Sequence, residues 1–417
     1  MKKNIFKIII VGFSFVLLLF SCGNKKKTAQ KEENIQVSNL SFNYNEDYGE
    51  LWDKADAETN KGLYKTALNS VDEILVKAKN DENTPQIVKC LIYKMKYNAY
   101  LKEDNYVIAL NELQQTASTA DFPLKQILHS ITAESYWNYY QQNQWKINQR
   151  SYSVDFKNDD ITTWDLKTIA KKTTQEYLLS LSNKDSLQHT TITDFRTIIS
   201  YTNHSEELQP TLYDFLGGRA IQFFNNTQFN ITKPADFFQI KETEYFGGIK
   251  EFIKLKISTI DITSSLYQAI LVYQELEGFH FKKKNYNSAV HYALKRLEFV
   301  KNNASNSTKK ELYLHGLEEL TNNYSKETET ALAWFYIADF YNSRGNEYDK
   351  ETESYQWEKK KALTICEKTI LEFPDSYGAD KCKALKTVIL RKNLSFNLEK
   401  SHRPNQPIRI VLEHRNV

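Results

Sequence analysis

The residues best suited to chemistry are thinly spread along this 417-residue chain. Its eight histidines include no HExxH pattern and no adjacent pair. His280 and His291 are separated by an expected helix break, so no metal site is read from them. Four cysteines in such a length exclude a disulfide scaffold, and none sits in a Cys-x-x-Cys pair. Cys90, Cys366 and Cys382 read as small buried thiols, although Cys366 and Cys382 could pair in an oxidising compartment. Asp159, Asp160 and Asp165 crowd around Trp164, a grouping that invites a glycosidase reading. No second, distant acid stands at a recognisable position, and a solvated loop is the simpler expectation. Gly217-Gly218-Arg219 and Gly247-Gly248 match neither the dinucleotide fingerprint nor the P-loop, so they are expected to be kinks or caps. No catalytic residue, metal or organic cofactor is assigned, and an enzyme is disfavoured because no acid–base pair stands out.

Aromatic side chains are a second chemical resource. Tyr136-Trp137-Asn138-Tyr139-Tyr140, followed by Trp145, is too dense for one helix stripe. Stacked rings of this kind bind sugars or peptides, which makes Trp137, Tyr140 and Trp145 a candidate platform. Packing between helices asks less of them.

The fourth cysteine has a different setting. Lys2, Lys3 and Lys7 precede an almost wholly apolar run from Ile8 to Phe20. That run has the length of a signal-peptide core and falls short of the ~20 residues a spanning helix needs. Leu19-Phe20-Ser21-Cys22 then resembles the bacterial lipobox. The resemblance implies cleavage before Cys22 and a diacylglycerol-type lipid on its sulfur. Each buried CH₂ contributes about 0.8 kcal/mol, so several acyl chains make a stable anchor. An ordinary cleaved signal with an incidental cysteine is the alternative. Residues 1–21 are therefore expected to be a signal peptide and 22–45 a tether containing Lys25-Lys26-Lys27. The mature body would sit in the cell envelope, at the outer membrane facing periplasm or surface. The three lysines are the only charges in the first 21 residues and account for the net charge of +3. The rest of the chain balances its 52 acidic side chains with as many basic ones. Nucleic acid is thus not an expected partner.

The elements that would position these residues are helices. Only 12 glycines and 7 prolines interrupt the chain, and 26% of it is charged, which argues against an all-β fold. Asp47 to Asn60 carries Tyr48, Leu51, Trp52 and Ala55 at helical spacing. After Lys61-Gly62-Leu63, a second stripe runs through Ala67, Val71, Ile74, Leu75 and Ala78. Pro85 suits a helix start. Further helices are expected from Tyr106 to Ala117, from Pro123, from Leu266 to Phe281, and from Tyr286 to Val300. Two more run from Ala331 to Tyr341 and from Lys361 to Phe373. The first pair resembles a tetratricopeptide unit, but later spacing is irregular. The expected fold is all-α, a degenerate tetratricopeptide-like α-solenoid with a short C-terminal β segment. Its helical regions are 46–224 and 261–393, separated by an irregular connector at 225–260. In 394–417, Ile408, Ile410 and Leu412 alternate with Arg409, Val411 and Glu413, a strand-like period of two.

Several segments also resemble a known family. They are Tyr139-Tyr140-Gln141-Gln142-Asn143-Gln144-Trp145, Thr163-Trp164-Asp165, and Gln209-Pro210-Thr211-Leu212-Tyr213-Asp214-Phe215-Leu216 with Arg219-Ala220 and Phe223-Phe224. Tyr48-Gly49-Glu50-Leu51-Trp52, Gly62 to Leu68, and the ending from Pro404-Asn405-Gln406-Pro407 fit the same pattern. Together they are similar to the N-terminal helical region of the alpha-2-macroglobulin-like lipoproteins of Bacteroidota. The resemblance implies a helical stalk or interaction module of an envelope protein, with 394–417 entering the first macroglobulin-like β-domain. The chain would then be the front end of a longer polypeptide. It implies a protein partner, a protease or an envelope component, beside the membrane reached through the lipid. The family's bait segment and Cys-x-Glu-Gln thioester are not found in this chain. A stand-alone tetratricopeptide-type or SusD-like lipoprotein, binding a nutrient or an envelope-assembly partner, is the other expectation.

Overall fold

The computed structural model describes residues 47–101, 103–150, 160–199, 205–226, 236–398 and 407–416. The expected signal segment, the tether, Cys22 and Asp159 lie outside the described residues. The chain divides into two compact units, Met1–Phe229 and Asn230–Val417. It is all-α with one short β segment. Among the described residues, no helix is long and apolar enough to cross a membrane.

In the first unit, α1 (Asp47–Asn60), α2 (Tyr64–Asn80), α3 (Thr84–Leu101), α4 (Glu103–Thr119), α5 (Leu124–Asn148) and α6 (Leu166–Ser180) each pack on the next. This is a solenoid-like succession. Gly62, at φ +76°, makes the turn from α1 to α2, a left-handed conformation that glycine adopts without Cβ strain. The buried stripe of α2, Ala67, Val71, Ile74, Leu75 and Ala78, has the expected 3,4 spacing. From α1, the Trp52 indole donates to Gln86 Oε1 at 2.8 Å, 34 residues away on α3. The Tyr48 hydroxyl donates to Asp81 at 2.7 Å. Lys94 of α3 reaches back to Asp72 on α2 (2.9 Å) and forward to Glu112 on α4 (2.6 Å). The unit closes with α7 (Lys184–His189), α8 (Ser205–Leu208) and α9 (Leu212–Phe224). Thr211 and Asp214 form a reciprocal capping box that starts α9.

The second unit begins with material expected to be a connector. Its backbone is irregular from residue 236, with a 3₁₀ turn (Thr243–Phe246) and the single turn α10 (Ile249–Phe252). Yet Phe238, Ile240, Tyr245, Phe246, Ile249 and Phe252 are all buried. Apolar burial, rather than regular hydrogen bonding, holds this stretch in the unit's core. There follow α11 (Ser265–Lys282), α12 (Tyr286–Asn303), α13 (Lys309–Asn323), α14 (Thr330–Arg344), α15 (Glu358–Glu372) and α16 (Tyr377–Leu390). Each packs on the next, and α14 also meets α16. That last approach is possible because residue 378 is glycine: a Cβ there would lie 2.2 Å from the Ala331 carbonyl carbon.

The β segment is a two-stranded antiparallel hairpin, β1 (Asn393–Leu398) with β2 (Ile410–Arg415). In its register, Leu394 faces His414, Phe396 faces Leu412, and Leu398 faces Ile410. Alternation places these six on one face. Leu394, Phe396, Leu398, Ile410 and Leu412 are all exposed, Phe396 by 60%.

Candidate functional site

The three platform residues do not share one surface. All lie on α5, which carries a non-helical residue at Asn143 (φ −116°, ψ 18°). Before that kink, Tyr140 is buried, only 4% exposed. Trp137 packs at 4.8 Å from the Tyr140 ring and edge-on to Phe223 of α9 at 5.4 Å. Tyr177 of α6 stacks on Phe223 at 5.2 Å and completes this wall. Trp145 lies beyond the kink, 77% exposed, with no aromatic partner among the described residues. The structure therefore brings Trp137 and Tyr140 together as packing between helices and leaves Trp145 as a single exposed indole.

A polar rim borders the aromatic wall. Arg219 of α9 donates through Nε to Ser130 Oγ (2.8 Å) and through Nη2 to Glu134 Oε2 (2.8 Å), both on α5. His129 Nδ1 pairs with Glu176 Oε2 of α6 at 2.6 Å. These contacts orient three helices around one cluster. Charge-assisted hydrogen bonds fix the helices' rotation, whereas apolar contact alone would tolerate sliding.

The acids near Trp164 are engaged in capping. Asp160 Oδ1 accepts from the Thr162 amide at 2.9 Å, and Asp165 Oδ1 accepts from the Thr168 amide at 2.7 Å. Each satisfies a free N–H at a helix start. Trp164 is buried, edge-on to Tyr136 at 5.1 Å. The glycine pairs divide in the same practical way. Gly247 ends the 3₁₀ turn and Gly248 caps α10, as expected. Gly217 and Gly218 are neither kink nor cap: they lie inside α9, whose cap is Thr211. The local sequence alone could not tell an interior glycine from a terminal one.

His280 and His291 flank Tyr292, with ring centroids 5.6 and 5.4 Å from it. His291 Nδ1 lies 3.1 Å from Glu329 Oε1. Among the described residues, no group of three or more His, Cys, Asp and Glu is placed to hold a metal. Cys90, Cys366 and Cys382 are buried free thiols. Burial pushes the Cys90 thiol up to about 12, so it has little thiolate character.

Two charged groups escaped sequence reasoning. Lys89 is buried on α3, its ammonium 3.9 Å from the centre of the Trp52 ring. Burial lowers its pKa to about 8, against the opposing pull of Asp56. Arg296 of α12 and Glu277 of α11 are wholly buried, joined Nε to Oε1 at 2.7 Å. Arg296 also donates to the carbonyls of Tyr245 (2.6 Å) and Gly247 (2.9 Å) and stacks over Phe252 at 4.0 Å. Burial pushes the Glu277 carboxyl up, and Arg296 pulls it back. The signal was present in the sequence: Lys89 interrupts the apolar run Ile87 to Leu91, and Arg296 falls on the stripe of Ala289, Ala293 and Val300. A charge at a core-spaced position requires a partner.

No protein-family model, no curated protein and no solved structure matches this chain.

Proposed function

We propose that the chain is a non-enzymatic, lipid-anchored interaction module of an alpha-2-macroglobulin-like protein of the cell envelope. Cys22 carries the anchor in this reading, and the helices present the C-terminal hairpin. The observation that carries it is that hairpin. Leu394, Phe396, Leu398, Ile410 and Leu412 form an exposed apolar face. A two-stranded hairpin is at best marginally stable alone, so apolar cover favours its folding. Strands of a macroglobulin-like β-domain supply such cover and pair with its open edges. The engagement of Asp160 and Asp165 as caps supports a role without acid–base chemistry.

A photoreactive residue at position 396 of the full chain, irradiated in cells, tests the proposal. The expected adduct is to strands of a macroglobulin-like β-domain, with none from the same probe at Lys171. Micromolar glycan binding lost in Trp145→Ala, without such an adduct, would favour the nutrient-binding lipoprotein instead. Palmitate incorporation abolished by Cys22→Ala checks the anchor separately.

A further inference from the structure

We propose that Cys366 and Cys382 form an intramolecular disulfide in the exported protein, stapling α15 to α16. The proposal rests on the envelope location argued above. Its own evidence is the placement of the two residues. Cys366 lies less than two turns before the end of α15, and Cys382 less than two turns after the start of α16. The intervening turn folds the helices against each other, so the two positions meet across one interface. Both residues have no exposed surface. Counted from the turn between the helices they stand at matching distances, Cys366 six residues before the end of α15 and Cys382 five after the start of α16. Cys90 belongs to the other unit.

Either cysteine, once ionised, starts the exchange. Its thiolate attacks one sulfur of an oxidant of the disulfide class, such as glutathione disulfide, and releases one thiol. The other cysteine then loses its proton and attacks the protein sulfur of the mixed disulfide, expelling the second thiol. Two protein S–H bonds are replaced by one S–S bond. Two electrons and two protons end on the two released small thiols. Because both sulfurs are buried, exchange takes place before α16 docks or while it is transiently open. Once formed, the bridge closes a short loop in the unfolded chain, which favours the folded state.

Unfolding and refolding the full chain in a graded series of reduced and oxidised glutathione tests the bridge. The expected product has lost two hydrogens by intact mass and yields a linked peptide pair containing Cys366 and Cys382. Cys90 remains open to alkylation after unfolding. The melting temperature should rise by several degrees on oxidation, and that rise should vanish in Cys382→Ser. Equal alkylation of all three cysteines throughout the series would overturn the proposal, as would a predominant link to Cys90. Acid-trapped cells report on the exported protein: a blocked Cys366–Cys382 pair supports the bridge, and free thiols on palmitate-labelled protein overturn it. A bridge that forms in glutathione on protein that takes up no palmitate would overturn the envelope location and leave the sulfur pairing standing.

Discussion

Arg219 and Arg296 do the same job in two different ways. In the first unit, Arg219 joins α9 to α5 through Glu134 and Ser130, with about a quarter of both charged side chains still reached by solvent (24% and 29%). In the second, Arg296 joins α12 to α11 and to the irregular stretch before it, with neither charge exposed. The units also differ in how closely their helices approach. A Cβ on Gly218 of α9 would meet nothing within 4 Å, whereas one on Gly378 of α16 would overlap the Ala331 backbone. The second unit thus places irregular backbone and close helix contacts where only particular side chains fit. The first spreads its polar contacts along half-open helix seams. Succession of helices in the chain does not set the tolerance of a unit; the burial of its polar groups does.

The largest expected effect comes from breaking the buried pair. Glu277→Ala leaves the Arg296 charge uncompensated and should cost about 3–5 kcal/mol in urea unfolding. Arg219→Ala, at its wetter site, should cost only about 1 kcal/mol. The double variant Glu277→Leu with Arg296→Met should recover part of the loss. The Tyr245 and Gly247 carbonyls, left without their donor, prevent full recovery. Equal losses for Glu277→Ala and Arg219→Ala would erase the contrast between the units.

Glycine replacements should differ in sign. Gly378→Val drives a side chain into Ala331 and should destabilise by about 3 kcal/mol. Gly218→Ala meets open space inside a helix and should stabilise by roughly 0.5–1 kcal/mol. Thermal melts of the two variants would sharpen the comparison, and a destabilising Gly218→Ala would break it.

A last effect carries its signature in its pH dependence. Lys89 has a folded pKa of about 8, below the 10.5 of a free lysine. Below pH 8 it is protonated in both states, and the folded chain carries the full cost of burying the charge. Between pH 8 and 10.5 the unfolded chain binds more protons, so this group's contribution to stability rises with pH. Lys89→Met should therefore stabilise by on the order of 2 kcal/mol at pH 7, with the advantage fading as pH approaches 10.5. An advantage that stays constant across that range would mean that Lys89 does not titrate as its burial implies.

Much of the helical layout was legible because its signals are local. Trp52, Gly62 and Ala67 mark one helix pair within a few residues of each other. The pairs starting at Leu266 and Ala331 announce themselves by spacing in the same way. α13 was missed, since Lys309 to Asn323 carries its apolar residues among many charges and two glycine-free polar ends. The candidate platform was legible as a cluster and not as a surface. Trp137 and Tyr140 are distinguished from Trp145 by Phe223 and by the break at Asn143, neither of which their own segment announces.

The sequence by itself determined that this chain is helical, that its helices come in pairs, and that it turns to a strand period near its end. Those properties follow from backbone preferences and from periodicities of 3.6 and 2, which act over a few neighbouring residues. Only the tertiary structure decided that Arg296 is enclosed while Arg219 is partly reached by solvent, that Trp145 is exposed while Tyr140 is not, and that two cysteines on neighbouring helices are both buried. Burial depends on what arrives from elsewhere in the chain, and no local pattern of residues carries that information.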